Sequence, residues 1–316
     1  MVHRLIPLVL ATLVLGAAPL RVAAAEPVYP PGLRVGLEPA GTLAVSRRFP
    51  GFEDADRHVA VTILDLPAAA YDRLSRAAFA PPEQQGMKDV KRETFPFAAG
   101  IGVLVSGTVD TGATRLHRWF LVAGASPGEA LDLAMLIRVE VPEAALGVYD
   151  DAVVRRMLAS VTFRRVPTEE LLGLLPFRLT DLAGFRVMRV VPDGVIVIDG
   201  AADDMAKQPY AVISAGHGAP DNADDRARFA RDLLVTAPLR DLELTSAEPM
   251  RIGGWPGNEI RARASGLNGE QVKLVQWLRF GGVGGGFLRI VAVAGSAQWD
   301  AVFDRFRALR DGVSLR

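Results

Sequence analysis

The chain has 316 residues, with 36 basic and 36 acidic side chains and no cysteine. Balanced, mixed-sign charge lacks the electrostatic footprint of a nucleic-acid binder and offers no basic run for an anionic lipid surface. Without cysteine there is no disulfide, no thiol chemistry and no lipid-anchor cysteine, so a packed core must hold the fold.

The chain opens MVHRLIPLVLATLVLGAAPLRVAAAEPVYPPG. Arg4 gives a basic start, Leu5 to Leu20 form an apolar run, and Ala23-Ala24-Ala25 fits the small-residue cleavage rule. Residues 1–25 are therefore expected to be a secretory signal peptide, with the mature chain starting near Glu26. The run spans 16 residues and holds Pro7 and Pro19, which is short for a membrane span. No later apolar stretch is long enough to cross, so the mature chain is expected to carry no transmembrane anchor. The expected location is the periplasm or the exterior.

The first copy of the fold is expected over 26–165. "TLAVSRRFPGF" reads as an opening hairpin, "HVAVTILDL" as a strand, and "AAAYDRLSRAAF" as a helix. "AGIGVLVSG" and "RLHRWFLVAG" follow as strands, the second carrying Trp119. After a glycine-bearing turn, Leu131, Leu133, Met135, Ile137, Val139 and Val141 alternate at a period of two, the signature of a strand. "YDDAVVRRMLASV" then recurs at helical spacing through Val153, Val154, Met157, Leu158 and Val161. Val166–Gly184 would connect the halves, with a short helix starting at Thr168 and Glu169-Glu170.

The second copy, over 166–316, repeats this grammar. "FRVMRVVPDGVIVIDG" is the opening hairpin, "PYAVISAG" a strand, and "DDRARFARDLLV" a helix. "PGNEIRARASG", "QVKLVQWLRF" and "GFLRIVAVAG" are strands, and "SAQWDAVFDRFRALRDGV" is a helix with Ser296 as N-cap and Gly312 as its stop. Trp119 corresponds to Trp277, the Gly124 turn to Gly281–Gly286, and Tyr149-Asp150 to Trp299-Asp300. Each half reads β-β-β-α-β-β-β-α, so the expected fold class is α+β: two similar domains, each an antiparallel sheet with packed helices.

This grammar resembles the PsbP/DcrB-like fold, an α/β/α sandwich. The residues carrying the resemblance are "LAGFRVMRV", "IGGWPGNEIRARA" and "FLRIVAVAG...FDRFRALRDGV" in the second half. The resemblance implies an extrinsic, envelope or adaptor role and carries no shared catalytic motif.

The catalytic patterns fail their context. "GASPG" (Gly124–Gly128) satisfies G-x-S-x-G, but a nucleophile elbow needs a helix next, and a strand follows. The second copy has GGVGGG there, with no serine. From Gly282 the chain reads G-V-G-G-G-F, which lacks the third glycine of a dinucleotide fingerprint and precedes a strand. Those glycines are expected to form a hairpin turn. His58, His117 and His217 form no ligand pair, and "DNADD" (Asp221–Asp225) lacks the glycine and distal glutamate of a calcium loop. It is expected to cap the following helix. The pairs Asp54/Asp56 and Asp203/Asp204 are expected in solvated loops, and His117 in a buried or half-buried structural role. No catalytic residue, metal ligand or cofactor is assigned.

Candidate binding residues are Trp255, Asn258, Arg251 and His217. "IGGWPGNEI" reads as a tight turn or bulge bearing an indole, which either anchors an interface or folds back onto its own core. His217, between glycines after a strand, is either a plain loop histidine or one that binds or moves protons. The leading expectation is a non-catalytic binding or accessory protein of the cell envelope with an envelope protein as partner. The alternative is a small-ligand-binding protein or enzyme using a cleft between the copies, with His217, Arg251 and Asn258.

Overall fold

The computed structural model describes residues 26–78, 81, 86–112, 114–124, 132–266, 268–281 and 285–316. The expected signal peptide at 1–25 and Ser126 lie outside the described residues. The chain divides into two compact units, one built on Val35–Phe163, the other on Tyr29–Arg34 with Arg164–Arg316.

In the first unit the strands are β1 (Val35–Gly36), β2 (Ala44–Val45), β3 (Gly51–Asp54), β4 (Val59–Leu66), β5 (Met87–Phe97), β6 (Gly100–Asp110), β7 (Arg115–Gly124), β8 (Ala134–Pro142) and β9 (Thr162–Phe163). Helix α1 (Tyr71–Ala78) follows β4, and α2 (Asp151–Ala159) follows β8. Seven strands form an antiparallel sheet in the order β2-β3-β4-β8-β7-β6-β5, and β1 pairs with β9.

The second unit begins with α3 (Thr168–Leu174), the short helix expected in the connection. Its strands are β10 (Phe177–Leu179), β11 (Arg186–Val191), β12 (Gly194–Ile198), β13 (Tyr210–Gly216), β14 (Arg240–Ile252), β15 (Trp255–Ser265), β16 (Gln271–Phe280), β17 (Phe287–Gly295) and β18 (Val313–Leu315). Helix α4 (Ala223–Leu234) follows β13, and α5 (Trp299–Asp311) follows β17. The sheet order is β11-β12-β13-β17-β16-β15-β14, and β10 pairs with β18. Position for position, this is the order of the first sheet, so the α+β class and the two similar sheet domains stand as read.

One strand per copy escaped the pattern. Four strands, not three, separate α1 from α2 and α4 from α5, because β5 and β14 precede the strands recognised in the sequence. Both are edge strands. β5 exposes Lys88, Asp89, Arg92 and Glu93, and its register shifts between Lys88 and Lys91. β14 shifts between Arg240 and Glu243 and again between Leu244 and Ser246. Each shift breaks the period of two, and an edge strand needs no full apolar face.

The second sheet is covered on both faces. On one, Val275, Trp277 and Ile290 pack under Trp299, Val302, Phe306 and Leu309 of α5. On the other, Ile260, Ala262, Leu274 and Leu278 pack under Ala230 and Leu234 of α4. This is why β16 is buried almost throughout: each side of it meets a helix. Trp119 and Trp277 occupy β7 and β16, both buried, and each donates its indole N–H to a carboxylate. The acceptor is Asp151 on α2 in the first unit (2.9 Å) and Glu259 on β15 in the second (2.7 Å).

Three local expectations are corrected or refined. Asp54 is not in a solvated loop. It ends β3, is 5% exposed, and accepts hydrogen bonds from Thr42, Tyr149 and Arg57. Asp56 is exposed, as read. The N-cap of α5 is Gln298, because Ser296 turns its hydroxyl to the Gln271 carbonyl instead. Gly312 does end α5, and Asn222, within DNADD, caps α4 by accepting from the Asp225 N–H at 2.8 Å.

Candidate functional site

The glycine-rich segment joins two paired strands. β16 and β17 pair from Phe280↔Phe287 onward, closing a hairpin over Gly281–Gly286, of which Gly282 to Gly284 lie outside the described residues. Gly124 ends β7 and the next described element is strand β8, with Ser126 outside the described residues.

Three of the four candidate residues sit around one hairpin. β14 and β15 meet at Ile252↔Trp255 through Gly253 and Gly254, both at positive φ (56° and 83°), the conformation that glycine adopts without strain. Trp255 follows directly and is 46% exposed. One side of its ring lies over Gly281, where an added Cβ would come within 2.3 Å of the indole. The Arg279 guanidinium stands 5.6 Å from the ring centre. The indole is thus steadied on one side and open on the other. It lines a depression of about 600 Å³ with Arg226, Arg279 and Phe280.

Arg251 and Asn258 lie on the same hairpin and open into a second groove, of about 430 Å³, between α4 and the β14–β15 pair. Ala223, Asp224, Arg226, Ala227 and Arg231 of α4 form one wall. Pro249, Met250, Pro256 and Ile260 give the other wall an apolar surface. Asn258 is only 7% exposed, and its carboxamide makes no hydrogen bond among the described residues. The amide lines the groove, so its acceptor and two donors are available to whatever occupies it.

The groove is cationic. Arg226 donates to the Pro220 carbonyl (2.8 Å) and lies over the Phe280 ring. Arg251 donates to the Gly254 carbonyl (2.6 Å), and Arg231 has no partner among the described residues. None of the three is paired with an acid. Asp224 is the one carboxylate in the lining.

The α4 wall is fixed from beneath. Gln276 donates to the Ala230 carbonyl (2.7 Å) and accepts from Arg289 (2.8 Å). Arg289 also donates to the Leu233 carbonyl and the Thr236 hydroxyl. A guanidinium thus meets the negative end of the helix dipole. Burial pulls the Arg289 pKa below its usual value, so this clamp is held by neutral acceptors at a desolvation cost. Nothing in the residue pattern marks this pair, since a glutamine and an arginine within strands match no motif.

His217 is not brought to this site. It lies just past the end of β13, exposed, and lines neither depression. His117 is half-buried on β7 and stacks with Trp119 at 6.2 Å. It borders a depression of about 440 Å³ in the first unit, with Lys91, Asp151 and Arg155. Among the described residues no three His, Asp or Glu side chains are placed to hold a metal ion, and no helix is long and apolar enough to cross a membrane.

No family model matches the chain, and no curated protein matches it. Solved structures similar to it include LpqN of Mycobacterium tuberculosis, described as involved in cell envelope biogenesis. It is 16% identical over 44% of this chain and 82% of its own, with a TM-score of 0.36. The PsbP protein of Synechocystis sp. PCC 6803 is 14% identical over 48% of this chain and 98% of its own, with a TM-score of 0.29. The T6SS immunity protein TplEi of Pseudomonas aeruginosa is 12% identical over 92% of this chain and 96% of its own, with a TM-score of 0.26. A PsbP structure is thus among the neighbours, at low similarity and without a family match.

Proposed function

We propose that this chain is an exported, non-catalytic binding protein of the cell envelope, which captures another envelope protein through the β14–β15 hairpin of its second unit. The observation that carries this reading is Trp255, a large aromatic side chain left 46% exposed beside a two-glycine turn. The other three tryptophans are buried. Tryptophan and arginine are the side chains most often found as interface anchors; Arg279 stands over the indole and Arg251 lies on the same hairpin.

The test is crosslinking of the tagged chain in its native envelope, followed by purification and mass spectrometry. One stoichiometric partner is expected, with its recovery lowered at least tenfold by Trp255→Ala while circular dichroism stays unchanged. Equal recovery by the folded variant would remove the hairpin from consideration.

A second reading, small-ligand binding, is supported by the groove at Asn258, whose volume falls within the roughly 300–1,000 Å³ of such sites. A small ligand would raise the melting temperature of the purified chain with no protein present, which a thermal-shift screen would detect.

A further inference from the structure

We propose that the groove between α4 and the β14–β15 pair receives an extended acidic segment of the polypeptide partner, gripped by Asn258, Arg231 and Arg251. This rests on the protein-binding reading above and names the chemistry of what is bound.

Three observations lead there. The first is Asn258. Its side chain lines the groove and makes no hydrogen bond among the described residues, so the carboxamide is available to a bound group. A carboxamide offers one acceptor and two donors in a plane. That set matches a peptide group, which presents a carbonyl and an N–H together. A bare carboxylate could use only the donors and would set its charge against the amide oxygen.

The second is charge. Arg226, Arg231 and Arg251 face the groove without acidic partners, against the single carboxylate of Asp224. Arg231 and Arg251 are exposed, so they can reach side chains that project from a bound segment. Guanidinium groups pair best with carboxylates, in bidentate geometry. Between the charges, Pro249, Met250, Pro256 and Ile260 offer apolar surface. The complementary segment therefore alternates acidic and apolar side chains.

The third concerns how the segment does not bind. β14 is an edge strand, and edge strands often recruit peptides as an added strand. Here two register shifts and Pro249 interrupt the edge. Recognition is assigned to side chains on the α4 face, not to main-chain pairing along β14.

The probe is a fluorescein-labelled octapeptide alternating glutamate and leucine, followed by fluorescence anisotropy against the purified chain. Its counterpart with glutamine in place of glutamate is the control. The acidic peptide is expected to bind at least tenfold more tightly than the control, and more weakly as salt rises. Asn258→Ala and the double variant Arg231→Gln/Arg251→Gln should each weaken it at least tenfold while circular dichroism is unchanged. Equal affinity for both peptides, no binding of the acidic peptide, or unaltered binding by the folded variants would overturn the proposal. Full displacement by equimolar free glutamate would also overturn it, in favour of a small carboxylate. If the acidic peptide fails while Trp255 still governs capture of a partner in the envelope, the groove assignment falls and the protein-binding reading stands. If the peptide binds as expected while no envelope partner is captured, the reverse holds.

Discussion

Tyr149 donates its phenol hydroxyl to Asp54 at 2.9 Å, joining the loop before α2 to the end of β3. Thr42 donates to the same carboxylate oxygen at 2.7 Å, and Arg57 completes the set at 3.1 Å. The Thr42 hydroxyl, with Tyr149 and Arg57, holds the Asp54 carboxyl well below its usual range, at about 2. A carboxyl with a lowered folded pKa stabilises the fold above its unfolded value of 3.8 and loses that contribution as pH falls toward 2. Thermal melts between pH 5 and pH 2 should therefore show a fall in the melting temperature over roughly pH 4 to 2. Asp54→Asn should flatten that part of the profile. Tyr149→Phe should cost about 1–2 kcal/mol at neutral pH, read by denaturant titration.

Arg289 should be indispensable to the position of α4. Replacing it with methionine leaves the Leu233 carbonyl and Gln276 without their cationic donor. A loss of about 1.5–3 kcal/mol is expected, the range for hydrogen bonds to charged groups. Hydrogen exchange should quicken in Ala223–Leu234 before it does in β16. Uniform acceleration across the second unit would show that the clamp serves the whole sheet instead.

Gly281 should be the residue that keeps Trp255 in place. Its φ of +116° disfavours any side chain, and a Cβ there would strike the indole. Gly281→Ala should cost about 1–2 kcal/mol in backbone strain and push the ring outward. Acrylamide quenching reads this directly, because the other tryptophans are at most 7% exposed. Quenching should rise in the variant, and unchanged quenching would mean that the ring is held by Arg279 alone.

The residues ahead of the first unit should stabilise the second. The Gly32 N–H donates to Glu170 at 2.8 Å, and Arg164, which also pairs with Glu170, lies over the Tyr29 ring at 4.5 Å. The Gly32 amide, then Arg164, holds the Glu170 carboxyl below its usual value. Starting the chain at residue 35 should speed hydrogen exchange in α3, Thr168–Leu174, more than in β2 or β3. The opposite ranking would show that this segment serves the first unit.

The sequence was legible where burial is one-sided or complete. The period of two through Met135, Ile137, Val139 and Val141 marks β8, and the three-four spacing of Trp299, Val302, Phe306 and Leu309 marks α5. It was illegible at β5 and β14, where bulges and charge erase the alternation. It was also illegible at Asp54, whose partners lie 12 and 95 residues away. Of the candidate site, Trp255, Arg251 and Asn258 could be found because GGWPGN is a turn signal. Arg226 and Arg231 could not, since on a helix they look like any solvated arginine until the fold sets them beside β15. His217 shared a glycine-rich context with the others and nothing more, and local composition does not report which loops converge.

The interrupted edge strands bear on how a duplicated chain folds at all. Two copies tethered together meet at a high effective concentration, and similar strands from each could pair in the wrong combination while both are still forming. β5 and β14 end the two sheets with register shifts placed near the start of each strand, after Lys88 and after Arg240. A strand that kinks there cannot be extended by its counterpart without losing its own pairing. The same irregularity that hid these strands from the sequence thus acts as a stop on each large sheet, so that the fourteen strands of the two large sheets sort into two sevens.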